Sequence, residues 1–137
     1  MFDDTKPIFL QLAERVADDI LRGRYQEGEQ VPSTNELSAH LRINPATAGK
    51  ALGLLVDDGI LVKRRGIGMF VADGALARIR AERQGGFIDT YLRPLLAEAQ
   101  ALGLDTNDLI RLIRDANDST AMSDSADMSD NRETATP

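Results

Sequence analysis

Cysteine and tryptophan are absent from the 137 residues, histidine occurs once, and aromatic residues make up only 4% of the chain. Without cysteine there is no disulfide, no thiolate nucleophile and no thiolate metal ligand. His40 alone supplies neither a histidine metal cluster nor a catalytic pair. No catalytic residue, metal or cofactor is therefore expected. No apolar run approaches the roughly 18 residues needed to cross a bilayer, and Met1-Phe2-Asp3-Asp4-Thr5-Lys6 lacks the basic start and apolar core of a secretion signal. The expectation is a cytoplasmic protein without a membrane partner. Hydrophobic residues nonetheless reach 42%, so a core can form, and with so few rings it must be aliphatic, which favours helices.

Positive charge is also in short supply, with 16 Lys and Arg against 22 Asp and Glu and a net charge of -6. Phosphate contacts are made mainly by Lys and Arg, so the sum by itself argues against nucleic acid. The distribution reverses that reading. Residues 119–137 hold four acids and one base, which accounts for -3, whereas residues 1–72 hold nine bases and ten acids. Lys63, Arg64 and Arg65 are consecutive, and Arg42 and Lys50 precede them closely, so local clustering outweighs the total.

Apolar spacing predicts a helix from Pro7 through Ile8, Phe9, Leu12, Ala13, Val16, Ile20 and Leu21, ended by Gly23. Ser33 and Glu36 stand at capping-box spacing and open a short second helix carrying Leu37 and Leu41. Asn44 followed by Pro45 opens a third, with Ala48, Ala51, Leu52 and Leu55 inward and Gly59 beyond its end. Two helices joined so tightly read as a helix-turn-helix. Ile60-Leu61-Val62-Lys63-Arg64-Arg65, a Gly66-Ile67-Gly68 turn and Met69-Phe70-Val71-Ala72 then read as a β-hairpin wing. The fold class expected is mainly α with a small β-hairpin: a winged helix-turn-helix over residues 1–73 and a short helical appendage over 74–118. Within the appendage Gly85-Gly86 should interrupt, Pro94 should bend or restart a helix, and Asp105 and Asp108 should cap the last one. Residues 119–137, poor in apolar residues, are expected to be a disordered acidic tail.

A winged unit presents one helix to the major groove while its hairpin reaches neighbouring backbone. Thr47 and Lys50 are early exposed positions of the candidate recognition helix, and Asn44 can face phosphate. Equally open is that Asn44 is only a cap and Thr47 only a solvated helix residue. Lys63, Arg64 and Arg65 ahead of a Gly-x-Gly turn place charge at a hairpin tip, against the alternative of a solvated strand end. Gly66-Ile67-Gly68 is no nucleotide loop, since a strand and not a helix follows. His40, Asp18-Asp19 and Asp57-Asp58 read as surface groups without chemistry. Phe87, Tyr91, Leu95 and Leu102 on one face, with Leu109, Leu112 and Ile113 on another, are too apolar for water and predict a homodimer seam.

The combination of Pro7-Ile8-Phe9-Leu10-Gln11-Leu12, Ile20-Leu21-Arg22-Gly23, Gly28-Glu29-Gln30-Val31-Pro32-Ser33, Ala51-Leu52, Gly59-Ile60-Leu61 and Gly66-Ile67-Gly68-Met69-Phe70-Val71 resembles the GntR family of bacterial transcription regulators. The short appendage resembles that of its YtrA subfamily. The resemblance implies a homodimeric repressor on an inverted-repeat operator in double-stranded DNA, often beside a transporter operon, and release by a small-molecule effector. No cluster of polar residues names such an effector. Carried over by position, DNA contacts fall on Ser33, Asn35, Asn44, Thr47, Lys50, Arg65 and Gly66. Asn35 and Pro45 stand where many members have Arg, so base preference does not transfer from Arg-bearing relatives. The competing function is a winged-helix adaptor or antirepressor that binds protein and no specific DNA.

Overall fold

The structure is a computed structural model that describes the backbone of residues 2–134 and the side chains of residues 2–120. Two compact units divide the chain, residues 1–86 and 87–137. In the first, α1 (Ile8–Leu21) starts after Pro7 and buries Leu12, Ala13, Val16, Ala17 and Ile20. Those five positions recur at the spacing that keeps one helical face inward. Helix α2 (Thr34–Leu41) is capped by Ser33, whose hydroxyl oxygen accepts the Glu36 N–H at 3.1 Å. The turn into the next helix passes through Arg42 at φ 56°, a left-handed conformation that L-residues other than glycine seldom adopt. It is closed from both directions: the Ile43 N–H donates to the Ser38 carbonyl, and the Ser38 hydroxyl donates to the Ile43 carbonyl at 2.6 Å. Helix α3 (Pro45–Asp57) is capped by Asn44, buries Ala48, Ala51, Leu52 and Leu55, and is followed by Gly59 at φ 78°.

The hairpin expected from sequence forms as β2 (Leu61–Arg64) and β3 (Gly68–Val71), antiparallel, with Leu61 opposite Val71 and Arg64 opposite Gly68. A third strand, β1 (Gln30–Val31), pairs with β3 on its other edge, giving the order β1-β3-β2. Two residues are too few to show the alternation that reveals a strand in sequence. Val31, Leu61 and Val71 close the core against the three helices.

The expected domain boundary after residue 73 is crossed by packing. Ala75 and Ile79 of α4 (Ala75–Phe87) are buried in the same core, and the Glu27 carboxylate accepts the Leu76 N–H at 3.2 Å. Gly85 and Gly86 do not interrupt α4 but lie within it. A glycine inside a helix costs about 1 kcal/mol without forbidding the conformation, and the strong helix formers before the pair hold the turn.

The second unit contains a π-helical stretch (Ile88–Leu92), α5 (Arg93–Ala101) and α6 (Thr106–Thr134). Pro94 sits in the first turn of α5, so the helix restarts where proline predicted it. Asp105 and Asp108 cap α6 reciprocally, each carboxylate accepting the other's N–H, at 2.8 and 3.0 Å. Disorder expected from residue 119 contrasts with α6, which continues to Thr134; neither glycine nor proline occurs between residues 104 and 136 to stop it. Residues 135–137, and side chains beyond residue 120, lie outside the described residues, and with them the acidic groups of the expected tail.

Candidate nucleic-acid interface

Both helices of the helix-turn-helix begin at a capped N-terminus. The Asn44 Oδ1 accepts the Ala46 N–H at 2.8 Å, as Ser33 does for Glu36. Capping consumes an acceptor, whereas a phosphate needs a donor. The Asn44 Nδ2 amide and the Ser33 hydroxyl proton therefore stay free to donate while the cap is intact, so the two roles left open by sequence are compatible. Helix N-termini add partial positive charge at the same place.

Helix α2 packs on α3 near Gly49, where a Cβ would stand in ordinary contact, 3.6 Å, with Thr34 Cγ2. The first turn of α2, with exposed Asn35, thus lies against the part of α3 that carries half-buried Thr47 and exposed Lys50. The Lys50 ammonium rests 4.0 Å from the centroid of the Phe9 ring.

In the wing, alternation separates the three consecutive cations. Leu61 and Lys63 share the face of Met69, Val71 and Val31, which leads into the core, while Val62 and Arg64 share the outer face with Phe70 and Gln30. Lys63 and Arg64 therefore leave the hairpin from opposite faces. Arg64 lies with its guanidinium carbon 4.6 Å from the Phe70 centroid. Arg65 and Gly66 occupy the turn closed by the Ile67 N–H on the Arg64 carbonyl at 3.0 Å, with Gly66 at φ 77°.

The turn is tied to β1. The Gln30 side-chain amide donates to the Ile67 carbonyl at 3.1 Å, and a Cβ on Gly68 would meet that amide nitrogen at 2.5 Å. Glycine at 68 leaves room for the tether. Sequence reasoning missed Gln30, because the contact joins residues 37 positions apart.

Four bases of the first unit are paired with carboxylates of α1. Lys6 pairs with Glu14 at 2.8 Å, Arg22 and Arg83 with Asp18 at 3.0 and 3.5 Å, and Arg24 with Asp19 at 2.5 Å. The hydrogen bond from Arg22 holds the Asp18 carboxyl below its ordinary range, and the bond to Glu14 raises the Lys6 ammonium. Arg42, Lys50, Lys63, Arg64 and Arg65 have no carboxylate partner among the described residues. A hollow of about 170 Å³ between α1, α2 and β1, reached by Tyr25 and His40, also lies in this first unit.

Of the expected seam residues, Phe87, Tyr91, Leu95, Leu102 and Leu112 are exposed in the second unit, and the Phe87 and Tyr91 rings stand 5.6 Å apart. Leu109 differs, being 8% exposed and thus already covered by its own chain. Among the described residues no helix is long and apolar enough to cross a membrane.

A family profile described as bacterial regulatory proteins, gntR family, matches residues 9–71. The chain is 28% identical over 109 residues to the HTH-type transcriptional repressor YtrA of Bacillus subtilis, spanning 80% of this chain and 83% of that protein. A crystal structure of a GntR-family transcriptional regulator from Bacteroides thetaiotaomicron superposes with a TM-score of 0.66 at 28% identity, covering 83% of this chain and 99% of that one. The DNA-binding domain of AraR, crystallised with operator ORX1, matches 53% of this chain and 93% of its own length at 30% identity and a TM-score of 0.50. The chain spans only about a quarter of longer curated relatives such as the fructoselysine operon repressor of Escherichia coli, to which it is 39% identical over 64 residues. These relatives are transcription regulators and not enzymes.

Proposed function

Because residues 9–71 place the chain in the gntR family of bacterial regulators, with a YtrA-like length and fold, we propose that this DNA-binding regulator is a cytoplasmic repressor acting as a homodimer on an inverted-repeat operator. One observation carries the reading. Lys50 of α3 and Lys63, Arg64 and Arg65 of the wing have no carboxylate partner among the described residues and stand near the donors of Ser33 and Asn44, while Lys6, Arg22, Arg24 and Arg83 are held by carboxylates of α1. In this reading Asn35 and Thr47 address base edges. Ser33, Asn44, Lys50, Arg64, Arg65 and the Gly66 backbone address phosphate, and Lys63 addresses the opposite side of the hairpin. Phe87, Tyr91, Leu95, Leu102 and Leu112 form the dimer seam, with Leu109 supporting it from within. Release by a small molecule, and control of a transporter operon as the family resemblance implies, belong to the same proposal.

The experiment is selection of bound fragments from the source genome, followed by titration of the selected duplex at several salt concentrations. A selected palindromic site, bound by two protomers with affinity that falls steeply as salt rises, is the expected result. Failure to retain any sequence, with a protein partner recovered instead, would favour the adaptor reading.

A further inference from the structure

The chain has four phenylalanines, and two of them lie beneath cations of the proposed DNA face. The Lys50 ammonium stands 4.0 Å from the Phe9 centroid and the Arg64 guanidinium carbon 4.6 Å from the Phe70 centroid, both inside the range in which a ring quadrupole holds a cation. Neither ring belongs to the cation's own element. Phe9 comes from the first turn of α1 and reaches Lys50 of α3, while Phe70 of β3 reaches Arg64 of β2. Each ring is half-buried and each cation exposed, so the ring walls one side and leaves the other open.

A cation paired to a carboxylate must give up that partner before it can meet phosphate. A ring offers no competing full charge. It does confine a long side chain whose rotamers would otherwise be lost when DNA arrives. On the outer face of the wing, the pairing of Val62 with Phe70 places Arg64 diagonally across from the same ring, so β-sheet register fixes this seat. Helix packing of α1 on α3 fixes the other.

We infer that Phe9 and Phe70 are positioning residues of the DNA interface, holding Lys50 and Arg64 ready for phosphate. The inference rests on the DNA-binding reading and deepens it, naming two apolar residues whose rings set the reach of charged ones.

Phe9→Leu and Phe70→Leu keep apolar bulk and remove the π face, while Phe9→Tyr and Phe70→Tyr retain it. In the free protein, NMR should show the terminal methylenes of Lys50 shifted upfield by the Phe9 ring, and the shift should vanish in Phe9→Leu. Binding is read by fluorescence anisotropy on a random-sequence duplex of about 30 base pairs at about 50 mM salt, where phosphate contacts dominate. Each Leu variant should lose about three- to fivefold in affinity and each Tyr variant less than about twofold. In a Lys50→Met background, Phe9→Leu should cost nothing further.

Lys50 methylenes unshifted in the parent protein would overturn the Phe9 seat without reference to DNA. Duplex binding unaffected by either Leu variant, or an equal loss in the Lys50→Met background, would overturn positioning while leaving the DNA-binding reading intact. A protein with the ring shift that binds no duplex would overturn that reading, and the positioning role with it.

Discussion

The two units of the chain treat apolar surface in opposite ways. Residues 1–86 close a single core in which Leu12, Leu52, Leu61 and Ile79 are almost fully buried, and the core joins all three strands to the first turns of α4. In residues 87–137 only Ala99 and Leu109 are buried among the described residues, while Ile88, Tyr91, Leu95, Leu96, Leu102, Leu112 and Ile113 stand open. Single exposed leucines are ordinary, but a series along short helices is a candidate association surface. The first unit thus closes its apolar surface within its own chain, and the second leaves an apolar face open, the face that the proposed dimer would cover.

The sharpest break of this contrast comes from paired substitutions. Leu52→Ala, at a site with 0% exposure, should lower the unfolding free energy by about 2–5 kcal/mol, read by urea denaturation. Leu112→Asp, at 52% exposure, should leave the first unit's melt in place and convert dimer to monomer in sedimentation. A monomeric parent protein, or a Leu112→Asp variant that unfolds as Leu52→Ala does, would dissolve the distinction between the units.

Within the first unit the comparison moves to the wing and the recognition helix. Replacing Arg64 and Arg65 by Ala should weaken binding to every sequence and flatten the slope of log K against log salt by about one unit per lost phosphate contact in each subunit. Thr47→Ala and Asn35→Ala should instead cost about 1–3 kcal/mol at the selected site and little on random DNA. Unchanged affinity and slope in the wing double variant would make the hairpin a purely structural strand pair.

Much of this architecture was legible in the residues. Capping signals at Ser33, Asn44, Asp105 and Asp108 located helix starts, since each cap acts within three positions of itself. The hairpin was visible because the Gly66-Ile67-Gly68 turn punctuates two apolar runs. Contacts that span the chain were not legible: β1, the Gln30 tether and the seats of Lys50 on Phe9 and Arg64 on Phe70 depend on packing between elements. Gly85-Gly86 misled because local propensity is a weak penalty beside a continuing helix. Alternation itself splits the basic triplet, yet three adjacent letters suggest one patch until the register is known.

Arg42 offers a smaller test, of strain and not of packing. Its left-handed φ of 56° costs an L-residue roughly 1–2 kcal/mol, partly offset against glycine by the entropy glycine loses on folding. Arg42→Gly should therefore stabilise the first unit by at most about 1 kcal/mol, whereas Arg42→Ala should be close to neutral. Thermal midpoints of the two variants check this, and a Gly variant less stable than the Ala variant would mean the turn is not strained.

The smallest effect is expected at Asp18, where α1 meets both Arg22 and Arg83. The Arg22 hydrogen bond lowers the folded-state pKa of this carboxyl below its ordinary value. Its contribution to stability is therefore fully present above the unfolded pKa of about 3.9 and is lost as pH falls through the lower folded value. The pair is partly open to solvent, so Asp18→Asn should cost only about 0.2–1 kcal/mol at neutral pH, and less at high salt. Parent and variant should converge in stability once pH has dropped below the lowered folded-state value, because the protonated carboxyl and the amide that replaces it are then both uncharged. A gap that persisted at that pH would assign the role of Asp18 to packing or hydrogen bonding by the neutral group, and the division between neutralised and free cations on the first unit would lose one of its supports.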